Sequence, residues 1–179
     1  EGELLIGLSR LEARQDISLL LQVRDGSANP DAIPRPVRWS VLASNHWRDL
    51  VDGEILAETT DGLLVSGHIH LSLPAETTIH NTLLEPGLVW LRASVDSQAD
   101  AVCRLLAVMP NAVPVILDDP THLSETVLPA ASIKSAVPGI RGVQQVSQPF
   151  ESFSGAIMES DRAFHNRAAE RLRHRGRAV

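Results

Sequence analysis

The chain has 179 residues, 44% hydrophobic and 21% charged, with a formal net charge of −6, and its mean hydropathy is zero. That length allows one good core or two small units, and no apolar run approaches the ~20 residues of a membrane span, which excludes a membrane-spanning helix. No charged-then-apolar leader is present, and the chain starts at Glu1 without Met, as an excised piece of a longer protein would.

The first half reads as β. ELLIGLSRL (3–11) is an apolar run interrupted by Gly7, and DISLLLQVRDG (16–26) is a second, closed by an Asp-Gly turn. SANPDAIPRP (27–36), with three prolines, is a loop. VRWSVLASNHWRDL (37–50) places Trp39, Val41 and Ala43 at period two, the alternation of a half-buried strand. EILAETTDG (54–62) gives a short strand and another Asp-Gly turn. LLVSGHIHLSLP (63–74) alternates Val65, Gly67, Ile69, Leu71 and Leu73 against Ser66, His68, His70 and Ser72; GLVWLRASV (87–95) is a further strand. About seven short strands separated by turns suit an antiparallel sandwich over residues 1–96.

The pattern then changes. SQADAVCRLLAVM (97–109) has no breaker and sets Ala101, Leu105 and Met109 four apart, which predicts a helix ended by Pro110. AVPVILDD (112–119) and IRGVQQVSQP (140–149) predict strands, PTHLSETVLPAASIKSAVPG (120–139) wanders, and FESFSGAIM (150–158) is a loop. A last helix is expected from Ser160, an N-cap with Asp161 favourably placed against the dipole. Phe164, Ala168 and Leu172 form its apolar stripe, and Gly176 caps its end. The expected class is therefore α+β, mainly β: a sandwich-like unit at 1–96 and a small α+β unit at 97–179 ending in a basic helix.

Catalytic chemistry finds little support. His68-x-His70 puts two imidazoles on one strand face, as some zinc sites begin, with His80 ten residues on; the competing reading is two polar residues on a wet face. No Gly-x-Ser-x-Gly elbow occurs, and GLSRLEARQ and GIRGV lack phosphate-loop spacing. Asp118-Asp119 and Asp49/Asp52 read better as solvated loop carboxylates than as an acid–base pair. Cys103 is the only cysteine, so no internal disulfide forms, and its apolar setting suits a small core residue. Trp39 and Trp90 are expected in the core, and for Trp47, which follows His46 near a strand end, core and surface are both open. Exposed coplanar tryptophans would favour a carbohydrate-binding sandwich, the rival functional reading.

The charge is unevenly spread. Residues 1–161 hold 10 Lys+Arg and 21 Asp+Glu, net −11, whereas 162–179 hold 6 Arg and one Glu, net +5. Arg167, Arg171 and Arg175 fall on one row of the expected helix, where like charges repel. A solvated helix, nucleic-acid binding and docking onto an acidic partner are all open; the acidic balance and lack of interleaved aromatics count against nucleic acid, and docking suits the guanidinium fork.

SGAIMESDRAFHNRAAERLRHRGRAV (154–179) resembles baseplate J-like proteins, wedge components of contractile phage tails and of related extracellular injection systems. The matching features are Gly155 in a loop, the helix start Glu159, Ser160, Asp161, then Arg167, and a run corresponding to Glu170, Arg171, Leu172, Arg173 and His174. QPFESFSGA, LLIGLSRL, SLLLQV, WSVLASNHW and GLVWLR are similar to the baseplate assembly proteins of the injection-system branch. In two respects the chain departs from the pattern: Ser154-Gly155-Ala156 stands where a Gly-Gly pair is frequent, and family members run on well past the position of Val179. The resemblance implies a non-enzymatic scaffold without cofactor. It would assemble in the cytoplasm into a phage-tail-like particle, contacting wedge, hub or sheath proteins and further copies of itself, and taking no nucleic acid, membrane or small-molecule substrate. It also makes Arg167, Arg171, Arg175, Arg173 and His174 the expected interface.

Overall fold

A computed structural model describes residues 1–115, 127–137, 139–141 and 143–152. The chain falls into two compact units, Glu1–Val115 and Ile116–Val179. The first is built from β1 (Gly2–Leu8), β2 (Asp16–Arg24), β3 (Arg38–Ala43), β4 (His46–Asp49), β5 (Ile55–Glu58), β6 (Gly67–Ser72), β7 (Val89–Val95) and β8 (Arg104–Pro110), with a 3-10 turn at Ala99–Ala101. Two four-stranded sheets form, ordered β1-β7-β3-β4 and β5-β6-β2-β8, and every strand pair is antiparallel. The mainly-β class and the seven strands expected before residue 96 are both present.

The core lies between the sheets because alternate residues of each strand point inward. Ile6, Trp39, Val41, Val89, Leu91 and Ala93 come from the first sheet, and Ile17, Leu19, Leu21, Ile69 and Leu71 from the second. Full burial of each large apolar side chain stabilises by roughly 1.5–3 kcal/mol. Local chemistry fixes the turns. Gly26, Gly53 and Gly62 all take positive φ at the three Asp-Gly dipeptides, a conformation that costs glycine little. Ser44 supplies φ 57 in the two-residue Ser44-Asn45 connection that brings Ala43 opposite His46. Gly67 has a different role: a Cβ there would lie 2.5 Å from the Thr59 carbonyl oxygen, so Thr59 can approach the start of β6 this closely only because glycine stands there.

Four expectations are corrected. Residues 97–109 are not a helix: Gln98 is left-handed, Val102 is extended, and 104–110 form β8 on the free edge of β2. The register slips between Gln22 and Val23, skipping Leu106. That bulge turns Leu105 and Val108, three apart, onto the core, a spacing that imitates a helix. Arg104–Pro110 thus belongs to the sandwich and not to the unit after it. Val65 stands exposed in the turn before β6 instead of facing inward. Trp90 is half-buried on the outer face, because the inward positions of β7 fall to Val89, Leu91 and Ala93. Finally, the described parts of 112–119 and 140–149 form no strand, and Val113, Val115, Ile140 and Val143 are exposed.

In the second unit, Ser152 N–H donates to the Leu128 carbonyl at 2.9 Å and Ala131 N–H to the Gln148 carbonyl at 2.9 Å. The Gln148 side chain accepts from Ile133 N–H at 3.1 Å. These contacts tie 128–133 to 148–152 without a regular ladder. The expected helix from Ser160 lies outside the described residues.

Candidate functional site

The outer face of the β1-β7-β3-β4 sheet carries the densest arrangement of polar and aromatic groups described. Register sets two rows across it. Gly7, Trp90, Leu42 and Trp47 stand level on β1, β7, β3 and β4; Leu5, Arg92, Ser40 and Asp49 form the next row. The Arg92 guanidinium lies over the Trp47 ring, 4.7 Å from its centroid. It donates to Glu3 Oε1 at 2.9 Å and to Ser40 Oγ at 3.4 Å. Ser40 in turn donates to Asp49 Oδ1 at 2.9 Å. The half-buried Arg92 cation is stable on this face because its charge has a carboxylate, a hydroxyl and a π-face as partners. Trp90 Nε1–H donates to the Glu85 carbonyl at 2.9 Å, and its ring crosses above Gly7, where a Cβ would meet it at 3.0 Å.

Trp39 is buried, as expected. Trp47 and Trp90 are half-buried and share a face, yet one face of the Trp47 ring is taken by Arg92 and the Trp90 N–H is already bonded. Both therefore pack against and anchor groups of the protein itself.

His68 and His70 do sit side by side on the outer face of β6. Their cross-strand neighbours are Leu20 and Ser18 on β2, and Ala57 on β5 pairs with His70, so no third ligand is supplied. The His68 ring nitrogen Nδ1 lies 3.3 Å from Thr59 Oγ1. His80 is exposed in the 74–88 connection. Among the described residues no group of three or more His, Cys, Asp or Glu is placed to hold a metal. Cys103 is buried, and its thiol points to the Leu64 carbonyl at 3.3 Å. A cleft beside it is lined by Ser27, Asn29, Asp100 and Arg104, and among these described lining residues no histidine stands as an activating base.

Two arginines make the remaining described ion pairs. Arg48 on β4 makes a two-point contact with Glu54, at 2.7 and 2.8 Å, and approaches Glu76 at 3.7 Å. Hydrogen bonding from Arg48 holds the Glu54 carboxyl below the ordinary carboxylate range, with the Val51 N–H adding to it against the cost of burial. Glu54 leads into β5, so this pair links an edge strand of one sheet to an edge strand of the other. Arg38 binds Asp96 in the same bidentate manner on the surface and lowers its pKa.

What these described residues offer is packing and contact surface. A family model described as a PVC11-like baseplate protein matches residues 1–179. The chain belongs to this family. It is therefore a structural baseplate component of a phage-tail-like contractile injection system, the kind of machine that the motif resemblance pointed to. No curated protein matches it. Membership of a baseplate family implies contacts with other baseplate or tail components, and among the described residues no helix is long and apolar enough to cross a membrane.

The residues singled out for interface or motif roles, namely Gly155, Glu159, Ser160, Asp161, Phe164, Arg167, Ala168, Arg171, Leu172, Arg173, His174 and Arg175, lie outside the described residues. Conversely, Arg92 escaped the sequence reading. Its only signal was one charged residue at an alternating position of the mostly apolar VWLRASV strand.

Proposed function

We propose that the chain is a wedge component of baseplate J-like type that works through protein–protein contacts alone. The observation that carries this reading is charge segregation in a chain whose whole length matches a baseplate family: net −11 over 1–161 against net +5 over 162–179. Identical subunits with an acidic body and a basic terminal segment attract each other and attract similarly acidic neighbours. Arg167, Arg171 and Arg175, with Arg173 and His174, form the basic contact, and the guanidinium forks grip carboxylates in two-point bonds. The Phe164, Ala168 and Leu172 stripe seats the helix on its own side.

Charge reversal tests it. The Arg167/Arg171/Arg175→Glu triple variant, expressed in place of the native protein, is expected to be missing from purified particles, with sheath and tube no longer co-purifying. Particles of normal composition and contractility would defeat the proposal.

A further inference from the structure

The sandwich has four edge strands, and three of them carry features that oppose strand addition. β4 is four residues long, and β5 is four residues long with a register slip between Ile55 and Ala57. β8 carries the bulge at Leu106 and ends in Pro110. β1 has none of these. It runs seven residues, GELLIGL, in unbroken register from Gly2↔Val95 to Leu8↔Val89. Among the described residues β7 is its only strand partner, so its other edge presents a row of backbone donors and acceptors. Leu5, at its centre, is 40% exposed on the outer face.

The strand is also its own complement. Turned about a twofold axis through Leu5, an antiparallel copy would bring Leu5 opposite Leu5, Glu3 opposite Gly7, Leu4 opposite Ile6 and Gly2 opposite Leu8. No like charges would face each other, and the only charged residue of the strand would meet a glycine. Inward residues would meet inward residues, so the two cores would run on into one another across the new ladder.

We propose that β1 is a self-association edge: two copies of the chain join their β1 strands antiparallel about Leu5, fusing two four-stranded sheets into one of eight. This goes beyond the arginine row, uses a different surface, and stands or falls separately from it. It gives a baseplate subunit a twofold, isologous contact in addition to any contact with unlike neighbours.

Sedimentation of the purified full chain across the micromolar range tests the edge. The wild type is expected to form a dimer. Leu5→Lys, which sets two ammonium groups opposite each other at a partly exposed site, is expected to weaken the dimer by at least about tenfold in dissociation constant. Leu106→Lys, on the bulged edge, is expected to leave it unchanged. Circular dichroism confirms that each variant folds. In a Cys103→Ser background, Leu5→Cys is expected to give a disulfide-linked dimer under mild oxidant, because only a register centred on residue 5 brings the two thiols together. A wild type that stays monomeric throughout overturns the proposal. So does a dimer that survives Leu5→Lys and yields no Leu5→Cys cross-link.

Discussion

The two outer faces of the sandwich obey different rules. On the β5-β6-β2-β8 sheet, β2 and β6 alternate strictly between buried and half-buried positions, as a sheet with one wet face should. On the other sheet, β3 is buried at every position from Trp39 to Ala43. Ser40 and Leu42 point away from the core, yet they are only 0% and 1% exposed. The difference comes from what lies on top. Trp47, Trp90 and Arg92 stand on that face, and the 74–88 connection is fastened to it through Thr82 N–H to Asn45 at 2.8 Å and Trp90 to Glu85. Alternation in sequence records which way a side chain points, while exposure depends on its neighbours.

Leu42 against Leu20 is the sharpest comparison. Leu42→Ala is expected to cost about 3 kcal/mol, because it empties a filled site, while Leu20→Ala on the wetter face should cost about 1 kcal/mol. Equal losses in denaturant unfolding would end the contrast between the faces. Arg92→Met comes next, at about 1–2 kcal/mol, since it removes the cation–π contact and two charge-assisted hydrogen bonds while keeping most of the stem. Arg92→Lys should recover little, as one ammonium cannot cover Trp47 and also reach both Glu3 and Ser40.

The pair joining the sheets gives a smaller, pH-dependent effect. The Glu54 pKa is depressed in the folded state, so its contribution is fully present above the unfolded carboxylate value and is lost as pH falls through the folded one. Arg48→Met should therefore lower stability by about 1 kcal/mol at neutral pH and flatten the acid limb of the stability curve. An unchanged acid limb would show that the pair contributes nothing. Smallest of all, His68→Ala and His70→Ala should each stay within about 0.5 kcal/mol, and zinc should not raise the melting temperature. A zinc-dependent rise would restore the metal reading.

Much of the sandwich was legible because turns and alternation are local. Each Asp-Gly dipeptide became a turn, and Trp39, Val41, Ile69 and Leu71 went inward as their spacing required, whereas β7 took Leu91 inward in place of the expected Trp90. The candidate site was less legible. Arg92, Trp47, Ser40 and Glu3 come from four strands that meet only once the sheet order is set. Strand β8 was misread for the same reason: the free edge of β2 decides it, and a bulge disguises its period.

The sequence by itself determined the mainly-β class, the Asp-Gly turn positions, the core-facing residues of β3 and β6 and, through its motifs and full-length match, the baseplate family. These follow from local conformational preference and two-residue periodicity, which need no partner to act. Tertiary structure alone decided which strands became edges, that β1 runs in unbroken register along one of them, and that, among the described residues, one outer face is more deeply covered than the other. Those outcomes depend on pairings between residues far apart in the chain, whose free energies arise only when the sheets are assembled.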